Sequence, residues 1–264
     1  MPVLVSTADD GAARLITIDN PPVNVLGLSV RAPLRQALLD AIADQGVSAI
    51  VIACGGRTFI SGADLREFDE APKSPTIHEI LTIIEQSPKL IIAAMHGNAF
   101  GGGLELALCC HYRVATADAQ FAQPEIRFGF LPGAGGTQRL PRAIGPVRAL
   151  KMIVGATPIA SQEALAWGLI DRVVDGDHRE AGCHVARELL NSGAPLKRLR
   201  DDQTKLAPES LDAAALITSD ILRIGRSWDA GAIESCVACV ERAQKSDFEG
   251  GLAFERQKFL ELKN

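Results

Sequence analysis

Apolar positions along this chain follow two periods, and the switching between them predicts an α/β layer architecture. Leu15 to Ile18 is a strand-like run that stops at Asn20-Pro21-Pro22. Val30, Leu34, Ala37, Leu38, Ala41 and Ile42 then recur at helical spacing, with Ser29 expected as the N-cap and Pro33 in the first turn. Ser48 to Ala53 and Leu90 to Met95 are continuous apolar runs closed by Gly55-Gly56 and Gly97, the pattern of strands buried on both faces. Between them Ile77, Ile80, Leu81 and Ile84 mark a helix ended by Pro88. Further strands are expected at Tyr112 to Thr116 and Asp171 to Val174. Helices are expected over Val147 to Val154 and from Ser161 to about Gly168. Beyond Pro195 strand signals cease, and three helical stretches follow near 208–224, 230–243 and 248–262. The expected division is therefore a core over 1–194 and a helical region over 195–264.

Composition narrows the function classes. The chain has 264 residues, 47% apolar and 22% charged, which excludes fibrous and disordered classes and is long enough to bury a core without disulfide or metal staples. A formal charge of −5 with only 5% aromatic residues disfavours nucleic-acid binding, which needs clustered cations and stacking platforms. No run approaches the roughly 20 apolar residues of a membrane span, and no basic-then-apolar leader opens the sequence. A soluble, cytoplasmic protein with no membrane partner is expected. The six cysteines, including Cys236-x-x-Cys239, sit in apolar runs and read as core thiols, not as a zinc site. No metal site is expected, and the five histidines read as structural or surface residues.

Several chemistries are absent by motif. There is no P-loop, nucleophile elbow or HExxH. The turn Gly133-Ala134-Gly135-Gly136-Thr137-Gln138 carries Gln where a dinucleotide fingerprint needs Gly. Three turns remain. Gly101-Gly102-Gly103 opens an apolar helix with uncovered backbone amides, and Glu105 follows in its first turn; tight helix packing and dipole complementation explain it as well as catalysis does. Ser61-Gly62-Ala63-Asp64 reads as an ordinary turn capped by Asp64, or as a second amide donor at Ala63 facing the first, the arrangement of an oxyanion hole. In Gln123-Pro124-Glu125 a carboxylate stands among Phe121, Ile126, Phe128 and Phe130, where it is either paired or kept for proton transfer. If Glu105 and Glu125 share one dry cleft, burial and mutual repulsion raise the pKa of at least one of them.

In this order and spacing, Ser61-Gly62-Ala63-Asp64-Leu65, Ala99 to Leu106 and Gln123-Pro124-Glu125 through Pro132 to Leu140 resemble the enoyl-CoA hydratase/isomerase (crotonase) family from about residue 12 onward. The stretches Leu104 to Arg113 and Phe254 to Leu260 are most similar to the N-terminal hydratase half of bifunctional hydratase/3-hydroxyacyl-CoA dehydrogenases. The resemblance implies a crotonase-like spiral of ββα turns with a C-terminal helical region, and an acyl-CoA thioester as substrate. It implies no cofactor beyond the coenzyme A that the substrate carries. It places the amides of Ala63 and Gly102 on the thioester oxygen, Glu105 as the base activating water and Glu125 as the proton donor to the α-carbon. Ser61, Asp64, Leu65, Arg66, Pro132, Gly133 and Phe254 would contact substrate or coenzyme A. The activity implied is 2-enoyl-CoA hydration in fatty-acid β-oxidation. The alternatives are Δ3,Δ2-enoyl-CoA isomerisation and a non-catalytic acyl-CoA- or RNA-binding role. The family implies a homotrimer or hexamer, or a monomer if the chain is part of a bifunctional enzyme.

Overall fold

The computed structural model describes residues 5–68, 71–206 and 228–263, so the helix expected at 208–224 lies outside the described residues. Six strands form the main sheet, in the order β1 (Val5–Asp10), β2 (Ala13–Ile18), β3 (Ala49–Cys54), β4 (Leu90–Met95), β6 (Tyr112–Thr116), β9 (Arg172–Val174). Only the β1–β2 pair is antiparallel; the others are parallel. β3 and β4 are buried at every position, as their unbroken apolar runs predict. One face of this sheet turns Ile16, Ile50, Ile52, Ile91 and Ala93 into the main core, against α1 (Leu28–Ala43), α2 (Ile77–Glu85) and α3 (Gly102–Cys109). The other turns Val51, Ile92 and Ala94 toward α7 (His178–Asn191). Gly182 brings that helix close: a Cβ there would lie 2.7 Å from Ala94 Cβ.

A second, small sheet explains how distant segments meet. It contains β5 (Asn98–Phe100), β7 (Gln120–Ala122) and β8 (Ile159–Ala160), and Ile60 bridges to Ala99 at its edge. Successive chain segments thus contribute one long strand to the main sheet, one short strand or bridge to the small sheet, and then a turn leading to a helix. Ala63, Gly102 and Glu125 each follow one of these short pairings by two or three residues. The remaining helices are α4 (Gly136–Ile144), α5 (Pro146–Gly155), α6 (Ser161–Trp167), α8 (Ala230–Lys245) and α9 (Phe248–Lys263). α8 packs on α4 and α5, while α9 packs on α8 and α4. Cys236 and Cys239 lie in the core on α8, and all six thiols are free and buried.

Three expectations need correction. The first helix is capped by Gly27, not Ser29, and the Leu28 amide donates to Glu67 Oε1 at 2.6 Å, so the cap comes from 39 residues away. Pro33 lies beyond the first turn of that helix. The strand β1 and the helices α4 and α7 fall where the apolar pattern predicted no element.

Candidate active site

The three turns singled out by sequence converge on one cavity of about 750 Å³. Ser61, Ala63, Asp64, Leu65, Gly102, Glu105, Glu125 and Gly133 all line it. At the first turn, the Leu26 amide donates to Gly62 O and the Ser61 amide to Val23 O, which fixes the loop that carries Ala63. At the second, Gly101 takes φ 52°, a conformation open to glycine, and turns the chain from β5 into α3. A Cβ on Gly102 would stand 3.4 Å from Ala63 N, and one on Gly103 would stand 2.2 Å from Ile60 O, so the two turns are packed backbone to backbone. The Gly102 amide is the first of α3 and has no intrahelical acceptor. Among the described residues, neither it nor the Ala63 amide donates to a protein oxygen. Two unused amides therefore stand side by side at the cavity wall.

Glu105 is 3% exposed, and its Oε1 accepts from the Ala134 and Gly136 amides, each at 2.8 Å. The glycine-rich turn that failed as a dinucleotide fingerprint is thus the cradle of this carboxylate. Gly136 has no room for a side chain, because a Cβ would lie 2.8 Å from Glu105 Oε1. Burial raises the Glu105 pKa, while the two amides and the Arg139 charge pull it back.

Glu125 opens a 3-10 turn, Glu125–Phe128, directly after Pro124. The position of a Gly101 Cβ lies 3.0 Å from its Oε1. The Gln123 side-chain nitrogen, in the orientation its surroundings require, donates to Oε1 and Oε2 at 3.0 and 3.2 Å. Burial, then the charge of Glu105, hold the Glu125 carboxyl well above the usual range. Two carboxyls share one poorly solvated site; two backbone amides and the Arg139 charge favour the Glu105 anion, whereas the donors to Glu125, its own amide and the Gln123 side chain, do not offset burial and the Glu105 charge. Glu105 is the group to ionise first, and Glu125 the one to retain its proton.

Three residues expected to touch substrate do not line the cavity. Arg66 projects outward and is bound by Asp64, with contacts of 2.9 and 2.7 Å, at the start of a single 3-10 turn, Leu65–Glu67. Pro132 is buried behind the wall, against Gly136. Phe254 on α9 packs beneath Arg242 and Lys258. In its place the same helix sends Phe259 and Leu260 into the cavity. Phe259 lies against Gly133, where a Cβ would be 2.5 Å from the ring, and stacks on Phe130 at 5.6 Å between centroids. His78, expected to be structural, also lines the cavity, with Arg31, Lys73, Arg256 and Lys263 as further basic residues.

Sequence reasoning missed two supports of the site. Arg139, on α4, makes a two-pronged pair with Glu85 at 2.8 Å for each contact and also donates to Ala134 O at 3.2 Å. Glu255, 1% exposed on α9, accepts from the amides of Gly135 and Thr137 and from the Thr137 hydroxyl. Burial, then the Glu105 charge, push the Glu255 carboxyl up to about 8. The pattern of α9 gives no sign of either partner, since both lie more than a hundred residues away.

The sequence profile of the enoyl-CoA hydratase/isomerase family matches residues 9–220 of this chain. The chain is 37% identical to the peroxisomal bifunctional enzyme of Homo sapiens over 255 residues, covering 95% of this chain and 35% of that protein. It is 42% identical over 173 residues to a probable enoyl-CoA hydratase of Bacillus subtilis (strain 168), covering 63% of this chain and 67% of the other. This chain spans about a third of the peroxisomal relatives it matches. Among solved structures, Pseudomonas aeruginosa DspI superposes with a TM-score of 0.67 at 28% identity, over 98% of this chain and 88% of that one. An enoyl-CoA hydratase from Mycobacterium avium subsp. paratuberculosis K-10 superposes with a TM-score of 0.64 at 28% identity, over 97% of each chain.

Proposed function

This chain belongs to the enoyl-CoA hydratase/isomerase family, and from that membership and the geometry of the cavity we propose that it hydrates 2-enoyl-CoA thioesters to 3-hydroxyacyl-CoA. The observation that carries the reading is the placement of two carboxyls of opposed protonation preference and two unused amides around one apolar cavity. The thioester oxygen accepts from the Ala63 and Gly102 amides. Conjugate attack moves negative charge onto that oxygen, and each such donor is worth on the order of 3 kcal/mol of barrier. Ionised Glu105 takes a proton from water as the water oxygen bonds to C3. Neutral Glu125 gives its proton to C2 as the enolate collapses. The balance is one water added across one double bond, and proton exchange with solvent restores the pair. Lys73, Arg256 and Lys263 supply cations near the cavity for the coenzyme A phosphates.

The test is loss of the enoyl absorbance of crotonyl-CoA, with a 3-enoyl-CoA as the parallel substrate. Hydration of the first, with product identified as the 3-hydroxyacyl thioester, is the expected result. Turnover of only the 3-enoyl compound would replace hydration by isomerisation. Binding of acyl-CoA without turnover of either would make this chain a non-catalytic member of the family. β-Oxidation is the degradative sequence in which this step belongs, as the names of the peroxisomal and glyoxysomal relatives suggest.

A further inference from the structure

The amides of residues 134–137 alternate between two acidic side chains. Ala134 and Gly136 donate to Glu105 on α3. Gly135 and Thr137 donate to Glu255 on α9, and the Thr137 hydroxyl donates to the same Glu255 oxygen as the Thr137 amide. The turn is therefore gripped on both sides, and the two grips are interleaved residue by residue. Gly135 at φ 95° allows successive amides to point in opposite directions. Glu255 sits nearly inaccessible behind the turn and does not line the main cavity, so it touches no reacting atom.

We propose that Glu255 is a positioning residue for Glu105: by holding Gly135 and Thr137 it fixes the turn whose intervening amides hold the catalytic carboxylate. This inference rests on the hydratase reading above. A carboxylate kept ionised in a dry site depends on donors whose placement is set beforehand, and a loosened turn gives them up. The groups that face Glu105 are Glu125, Cys109 on its own helix, Arg139 with its partner Glu85, and Glu255 itself. Glu255 is faced by Glu105, Glu125, Arg139, Cys236 and Cys239.

The experiment is steady-state hydration by wild type and Glu255→Gln across pH. The expected result is a kcat lower by about tenfold or more with KM within about threefold, because the Ala63 and Gly102 amides and the cations near the cavity all lie outside residues 134–137. The acid limb of the kcat/KM profile, which reports ionisation of Glu105, is expected to move to higher pH. Direction separates the clamp from a simple charge effect. With its carboxyl held up to about 8, Glu255 carries little charge across the acid limb, so a pure charge effect leaves the limb in place or moves it to lower pH, whereas losing amide donors moves it to higher pH. A folded variant whose limb is unmoved or moved downward, or whose kcat stays within about twofold of wild type, overturns the proposal. If Glu255→Gln does not fold, Thr137→Val takes away the hydroxyl that donates to Glu255 and accepts from Gln138 Nε2, and leaves both backbone donors to Glu255 in place. It should lower kcat about threefold and move the limb the same way, and an unchanged profile there is equally fatal. A wild-type chain that hydrates nothing refutes the hydratase reading; a wild type that hydrates, with a variant that behaves as it does, refutes only the positioning role.

Discussion

Glu125→Gln is expected to lower the rate of enoyl-CoA hydration by roughly a hundred- to ten-thousandfold, the range of a lost general acid, while the affinity for a saturated acyl-CoA stays within about threefold. Glutamine keeps the shape and can still accept from Gln123, so the cavity and the two amides are left in place. What it lacks is a proton to give to C2. Absorbance kinetics and calorimetry read the two quantities separately, and wild-type turnover in the variant would remove Glu125 from the mechanism. The same pair sets the pH profile. Activity rises as Glu105 ionises and falls as Glu125 ionises, and burial displaces both limbs upward from the ordinary carboxyl range, Glu125 the further. Stability carries the opposite sign from a salt-bridged acid. Above the ordinary value of 4.5 the unfolded chain has lost a proton that native Glu125 keeps, so this group makes the fold less stable as pH rises toward its native pKa. The Gln variant lacks that slope.

Arg139→Met is expected to destabilise the fold by about 3 kcal/mol, near the lower end of the range for breaking a buried ion pair. Both partners are almost wholly inaccessible, at 5% and 2% side-chain exposure, so the carboxylate of Glu85 would lose its main counter-charge in a place where water cannot replace it. Arg200, 3.5 Å from Glu85 Oε2, compensates in part and keeps the loss from being larger. Urea denaturation followed by circular dichroism measures it. The double variant with Glu85→Gln should recover much of the loss, because the cost lies in the uncompensated charge and not in missing volume. A single variant within about 1 kcal/mol of wild type would mean that Arg200 already suffices.

The parts of the fold visible in the sequence are those whose environment is uniform along the chain. β3 and β4 are apolar at every position because both of their faces are covered, and α2 has an apolar stripe and a Thr76–Glu79 capping box. What was illegible has a local composition that contradicts its setting. β1 reads Val-Ser-Thr-Ala-Asp-Asp because it is an edge strand with mostly exposed residues, so no alternation marks it. α4 is buried at every position yet contains Gln138, Arg139, Arg142 and an internal Pro141, so its short Leu140–Ala143–Ile144 stripe is carried among residues that read as a polar, proline-broken turn. β5, β7 and β8 are two or three residues long, below any periodic signal. The site divides the same way. Glu105 and Glu125 stood out as acids among apolar neighbours, and the glycines before Glu105 marked a close backbone approach. Glu255 has only its place in a helical stretch, and what distinguishes it are partners 118 and 120 residues away.

The short sheet also bears on how the fold comes into being. Ile60 with Ala99, Ala99 with Phe121, and Gly135 with Glu255 are pairings that no local segment can form alone. Helices can condense early during refolding, but the parallel pairings of both sheets and the contact of Gly135 with Glu255 close distant loops and are slow. Regain of the proposed hydration is therefore expected to lag behind regain of helical ellipticity, and a chain halted partway would display helical spectra while remaining inert.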